Sequence, residues 1–173
     1  MKKSPLALGL VVTALAASFS FAAGKGILFP DWSPPTKGTF EAPAASLGKS
    51  ATDAQPWSQT TLTSSIMGKP LKGKAVSLVG EVIDYSCYLQ VGKHGDKHRD
   101  CGQKCARNGQ PVGLLTKDGS IYLLMDEEHD QRRDGLTAFR AAAIENMAHV
   151  VTVNGTLSEV EDQKAIYVQG FQK

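Results

Sequence analysis

The sequence predicts a mainly β fold: a five-stranded, OB-fold-like barrel with one helix between its third and fourth strands. Three observations predict it. Short apolar segments of strand periodicity recur after Lys74. One helical stripe, around Phe139, interrupts them after the third segment. Glycines stand inside the first and fourth segments, where a closing sheet needs a bend.

In the first strand, Val76, Leu78 and Val82 alternate with Ser77, Val79, Glu81 and Ile83, around Gly80. Strands two and three form a hairpin. Pro111-Val112-Gly113-Leu114-Leu115 runs to the tight-turn dipeptide Asp118-Gly119, which leads into Ile121-Tyr122-Leu123-Leu124-Met125. A polar loop from Asp126 to Asp134 follows; its acidic cluster with His129 could hold a hard cation, but reads as a solvated charge run. Asp134 is placed to cap a helix whose stripe is Leu136, Phe139, Ala143, Ile144 and Met147. That stripe reads as core. His149 lies just past the last turn, where a cation suits the helix dipole. Val151, Val153 and Leu157 share a face of the fourth strand around Gly155, and Ile166 and Val168 mark the fifth.

Before this domain, assigned to residues 74–173, the chain reads as an address and a tether. Met1-Lys2-Lys3, an apolar run to Phe21 and the small residues Ala22, Ala23 and Gly24 predict a secretory signal over residues 1–23, cleaved near Ala22 or Ala23. The alternative is an uncleaved membrane anchor. The expected location is therefore periplasmic or otherwise extracytoplasmic. Residues 24–73 are rich in Pro, Ser, Thr, Ala and Gly and predict a linker or loosely laid arm. Ile27, Leu28, Phe29, Trp32 and Trp57 are its docking candidates, on the domain or on a partner.

Lys and Arg number 19 against 17 Asp and Glu, and removing Lys2 and Lys3 leaves 17 of each. The exported chain is near neutral and carries no basic footprint for nucleic acid. Tyr85, Tyr88 and Tyr122 therefore read as packing residues rather than base-stacking platforms. Asn154-Gly155-Thr156 matches a glycan acceptor but falls inside a strand. Neither a nucleophile elbow, a phosphate loop nor a Ser/His/Asp order is present, so no catalytic residue is assigned.

The loop of residues 84–111 holds all three cysteines, Cys87, Cys101 and Cys105, with His94 and His98. His98-x-x-Cys101-x-x-x-Cys105 places its groups on one face of a helical turn, and Cys87 at the end of the first strand can reach back to it. Cys87, His98, Cys101 and Cys105 form a tetrahedral set suited to zinc, with iron and copper as alternatives. His94 could replace His98. An oxidising compartment argues instead for one disulfide and a spare thiol. Two competing readings follow: a thiol-redox or electron-transfer protein using the same residues, and a structural interaction domain with one disulfide.

The stretches G-E-V-I-D-Y-S-C-Y (residues 80–88), H-R-D-C-G-Q-K-C-A (residues 98–106) and Gly109-Gln110-Pro111 resemble a group of exported bacterial OB-fold proteins, largely uncharacterised. The resemblance covers about Lys74 to Phe171. It implies a fold and a compartment and no substrate; the broader likeness is to small periplasmic OB-folds that act as binding or accessory modules. The first reading is therefore a periplasmic binding or accessory module with a metal-stapled loop, its arm a tether to a membrane or periplasmic protein partner, such as a membrane redox system. The group would carry Ala where this chain has Gly102.

Overall fold

Among the described residues there are six strands, Ser46–Leu47 (β1), Gly73–Asp84 (β2), Val112–Thr116 (β3), Ile121–Asp126 (β4), Val150–Val160 (β5) and Gln163–Val168 (β6), and all but β1 arise where the apolar alternation lies. Four helices join them: Gln59–Ser64 (α1), Tyr85–Val91 (α2), Arg99–Arg107 (α3) and Ala138–Glu145 (α4). The structure, a computed structural model, describes residues 33–127 and 135–171. The predicted signal segment, with Ile27, Leu28, Phe29 and Trp32, lies outside the described residues, as do His129 and Asp134. Among the described residues no helix is long and apolar enough to cross a membrane.

Strands β2 to β6 close into a five-stranded mixed barrel, and β1 lies outside it. β2 runs antiparallel to both β3 and β5, and β3 antiparallel to β4. β4 runs parallel to β6, which returns antiparallel to β5 and closes the ring. β3 and β4 are joined by the tight turn at Asp118-Gly119, and α3 precedes β3. α4 stands between β4 and β5, the third and fourth strands of the barrel.

Closure explains two glycines. Gly80 pairs with Thr116 on one side and Val151 on the other. A Cβ there would come within 2.6 Å of the Leu114 side chain. Gly155 likewise pairs with both Val76 and Val168, and a Cβ would meet the Tyr167 carbonyl oxygen at 2.2 Å. Each sits where a strand has neighbours on both edges and the sheet curls tightly.

Inside the barrel, Val82, Leu114, Leu124, Val151, Val153 and Ile166 are buried, and Phe139, Ala143, Ile144 and Met147 of the α4 region join the same core. The helix begins later than the sequence suggests. Thr137 is its N-cap, accepting from the Arg140 backbone N–H at 3.1 Å, and Leu136 precedes the helix, exposed. His149 is buried, and burial pushes its pKa down. The positive charge at the helix C-terminus comes from Arg99, which donates to the Glu145 carbonyl at 3.0 Å.

The Pro- and Ser-rich stretch before β2 is laid along the barrel over its described part. β1 adds to β5 in parallel, and Leu47 and Trp57 are buried. Backbone bonds tie Thr36 to Ala148, and both Ala44 and Lys37 to Val150. Its composition lacks periodicity because its backbone follows the sheet edge while only single side chains dock.

Candidate metal centre

The connector between β2 and β3, residues 85–111, carries the site. It opens at Asp84, whose Oδ1 caps α2 by accepting from the Cys87 backbone N–H at 3.1 Å. α2 ends at Gly92, in the left-handed region at φ 68°. The chain then turns through Gly95 at φ 74° into a short 3-10 segment, Asp96–His98, and on into α3.

Two sets of contacts hold that turn. From beneath, buried Glu81 of β2 bonds the His94 ring Nδ1 at 3.0 Å and accepts from the Gly95 N–H at 2.6 Å. From outside, the arm clamps it. The Asp96 N–H donates to the Pro34 carbonyl at 2.8 Å, the Lys97 N–H to Ser33 Oγ at 3.0 Å, and Thr36 Oγ1 to Asp96 Oδ1 at 2.9 Å. A Cβ on Gly95 would meet the Ser33 carbonyl oxygen at 2.1 Å, so no other residue fits there. His98 is thereby held at a fixed place against β2.

α3 is fixed against α4 by reciprocal capping. Gln103 donates to the Ile144 carbonyl at 2.9 Å, and Arg140 donates to the Ala106 carbonyl at 3.0 Å. Gly102 faces inward: a Cβ there would lie 3.0 Å from the Met147 sulfur and 3.6 Å from Asp84 Cβ. Its missing side chain brings α3 close to Asp84.

These supports converge on one group. One ligand atom each from Asp84, Cys87 and His98 lies within 4.8 Å of the other two, a set that could hold a metal ion. Asp84 and His98 are buried, with His98 Nε2 3.9 Å from Asp84 Oδ2. Neither of those two atoms has a hydrogen-bond partner. Buried polar atoms are almost always paired, so two facing orphans need a reason. The Asp84 carboxylate also acts on the Cys105 thiol, helping burial to raise its pKa. Cys105 and Cys101, four residues earlier on α3 and exposed, both fall outside the three-residue group. None of the three cysteines is disulfide-bonded.

Of the residues that spacing singled out, Cys87 and His98 are brought together, and Cys101 and Cys105 are not part of that group. His94, the substitute, is engaged by Glu81. Asp84 was not read from the sequence as a site residue. The signal was there: an Asp three residues before Cys87, at a strand end, is a helix cap aimed into the connector.

Burial raises the Cys87 pKa, and the nearby Asp84 carboxylate adds to the effect. Burial, with the same carboxylate, pushes Cys105 up to about 12. Burial lowers the His98 pKa, against the attraction of Asp84. A nucleophilic or redox cysteine needs the opposite, a lowered pKa in electropositive surroundings. A divalent cation would invert this balance, taking both a thiolate and the carboxylate as ligands.

Comparisons with family models, with curated proteins and with solved structures found no match to this chain.

Proposed function

We propose that this chain is an exported metal-binding accessory module: an OB-type barrel whose β2–β3 connector is closed around one zinc ion. Asp84, Cys87 and His98 supply three ligands and Cys105 the fourth. The observation that carries this reading is the facing pair of buried orphans, Asp84 Oδ2 and His98 Nε2, with the Cys87 sulfur in the same group. A tetrahedral zinc with bonds of about 2.0–2.3 Å sets its ligand atoms roughly 3.3–3.8 Å apart. The 3.9 Å between those two atoms is close to that spacing. One carboxylate and one thiolate balance a divalent charge, and the neutral imidazole is the form that ligates.

Four protein ligands leave no open position for substrate, so the ion staples the connector and does not catalyse. The stapled connector, with exposed Leu89 and Val91 on α2, is the part offered to a membrane or periplasmic partner. The thiol-redox alternative is opposed by the raised thiol pKa values.

Elemental analysis of the full chain, purified under thiol protection, tests this reading. One zinc per chain is expected, and a chelator should lower the melting temperature, because binding and folding are coupled. A chain that arrives without stoichiometric metal and takes none up from zinc solution removes the proposal.

A further inference from the structure

A second site shares no residue with the metal group and owes nothing to the metal reading. Between the arm and the strands β4 and β6 is a cavity of about 370 Å³, its walls including Trp57, Thr61, Leu71, Met125, Glu127 and Tyr167. Small-molecule sites run from about 300 to 1,000 Å³ and are mostly apolar with a few placed polar groups. This one fits that description. Trp57 and Tyr167 meet edge to face, ring centroids 5.3 Å apart. The Trp57 indole N–H is already given to the Leu71 carbonyl at 2.8 Å, so the residue offers the cavity its ring and not its donor.

The polar end is Glu127, which the sequence suggests is part of a solvated charge run. It is only 6% exposed. Its Oε1 accepts from the Ser58 backbone N–H at 2.6 Å and from Thr61 Oγ1 at 2.8 Å. Its Oε2 is buried and has no hydrogen-bond partner. Both donors are neutral, and no cation among the described residues pairs with this carboxylate. Burying a carboxylate oxygen without a donor is costly, so among the described residues the site lacks one donor and one positive charge.

We infer that this cavity binds a small primary ammonium compound with a short apolar body, its nitrogen directed to Glu127 and its carbons lodged against Trp57 and Tyr167. A primary ammonium brings both missing features, with N–H donors for Oε2. The aromatic faces favour a cation further. A carboxylate ligand would be repelled, and a neutral alcohol would bring a donor without the charge. Oε2 is itself closed to water, so the nitrogen reaches it as the soft terminal torsion of Glu127 turns.

Calorimetric titration of the full chain with n-butylammonium, butan-1-ol and butanoate tests this. Saturable binding of n-butylammonium is expected at a millimolar dissociation constant or tighter, at least tenfold tighter than butan-1-ol, with no binding of butanoate. Glu127→Gln keeps an oxygen for Ser58 and Thr61 but turns an N–H donor toward the ligand, and should cost tenfold or more. Should that variant fail to fold, Leu71→Lys serves: it sets a cation on the exposed rim and should weaken n-butylammonium about fivefold. The inference is overturned if n-butylammonium does not saturate or butan-1-ol binds as well. Unchanged affinity in whichever variant folds overturns it too.

Discussion

Two of the connectors that join antiparallel neighbours in this barrel are built on opposite terms. Residues 117–120 link β3 to β4 with their polar groups satisfied: the Gly119 N–H bonds the Thr116 carbonyl, and Asp118 accepts from Ser120 through both its N–H and its hydroxyl. Residues 85–111 link β2 to β3 and, with Asp84 at their start, leave Asp84 Oδ2, His98 Nε2 and Arg99 Nε buried without partners. A tight turn is all that closure of the barrel requires there. The long connector spends stability on a polar cluster, which is the mark of a site retained for binding and not for folding.

The largest effect that would sharpen this contrast is at the ligands. Cys87→Ala or Asp84→Asn should lower zinc affinity by more than roughly a hundredfold, since changes at residues merely supporting a ligand already cost about 10–100-fold. Competition with a chelator of known affinity reads this directly. Equal zinc uptake by either variant would leave the long connector no different in kind from the short one.

Next is the buttress. Glu81→Ala strips a buried partner from both His94 and the Gly95 N–H, and should destabilise the chain by about 3 kcal/mol. In the short connector, Asp118→Ala removes exposed hydrogen bonds and should cost only about 1 kcal/mol. Urea unfolding of both variants measures the difference. Equal losses would break the distinction between a buried frame and a solvated turn.

Gly102→Ala separates two opposed effects. A helical Ala gains about 0.8–1.0 kcal/mol over Gly. Its Cβ must press on Met147, whose sulfur would be only 3.0 Å away. Flexible Met147 can yield at a cost of similar size, so net stability should change by less than about 1 kcal/mol. Displaced α3 should nonetheless weaken zinc binding, so the two readouts part company.

The smallest effect is in pH. Burial holds the His149 pKa below its ordinary value. The unfolded chain then binds more protons between the two pKa values, so stability is full above the unfolded pKa, near 6.5, and falls as pH drops below it. His149→Gln should flatten that part of the pH–stability curve. An unchanged slope would place the acid sensitivity elsewhere.

Much of the barrel was legible because its signals are local. Val76, Leu78 and Val82 show strand alternation, Asp118-Gly119 names its own turn, and Gly80 and Gly155 mark the bends. The Leu136 position misled, because a stripe of helical spacing says nothing about where the helix starts, and Thr137 was the better cap. The arm was only partly legible: Trp57 stood out as a docking candidate, but Leu47 docks alone, and the backbone bonds to Ala148 and Val150 leave no trace in composition. At the site, Cys87 and His98 stood out by residue type. Asp84 did not, since its capping and ligating roles look alike until the connector folds over it. Glu127 was hidden by its acidic neighbours, and only burial distinguishes it from them.

Zinc-edge X-ray absorption of the zinc-loaded chain tests the central claim most directly, because it reads the donor atoms without substitution. The account predicts a mixed first shell, nitrogen and oxygen from His98 and Asp84 at about 2.0–2.2 Å and sulfur from Cys87 and Cys105 at about 2.3 Å. A shell made only of nitrogen and oxygen, or one of sulfur with a single nitrogen, would contradict it.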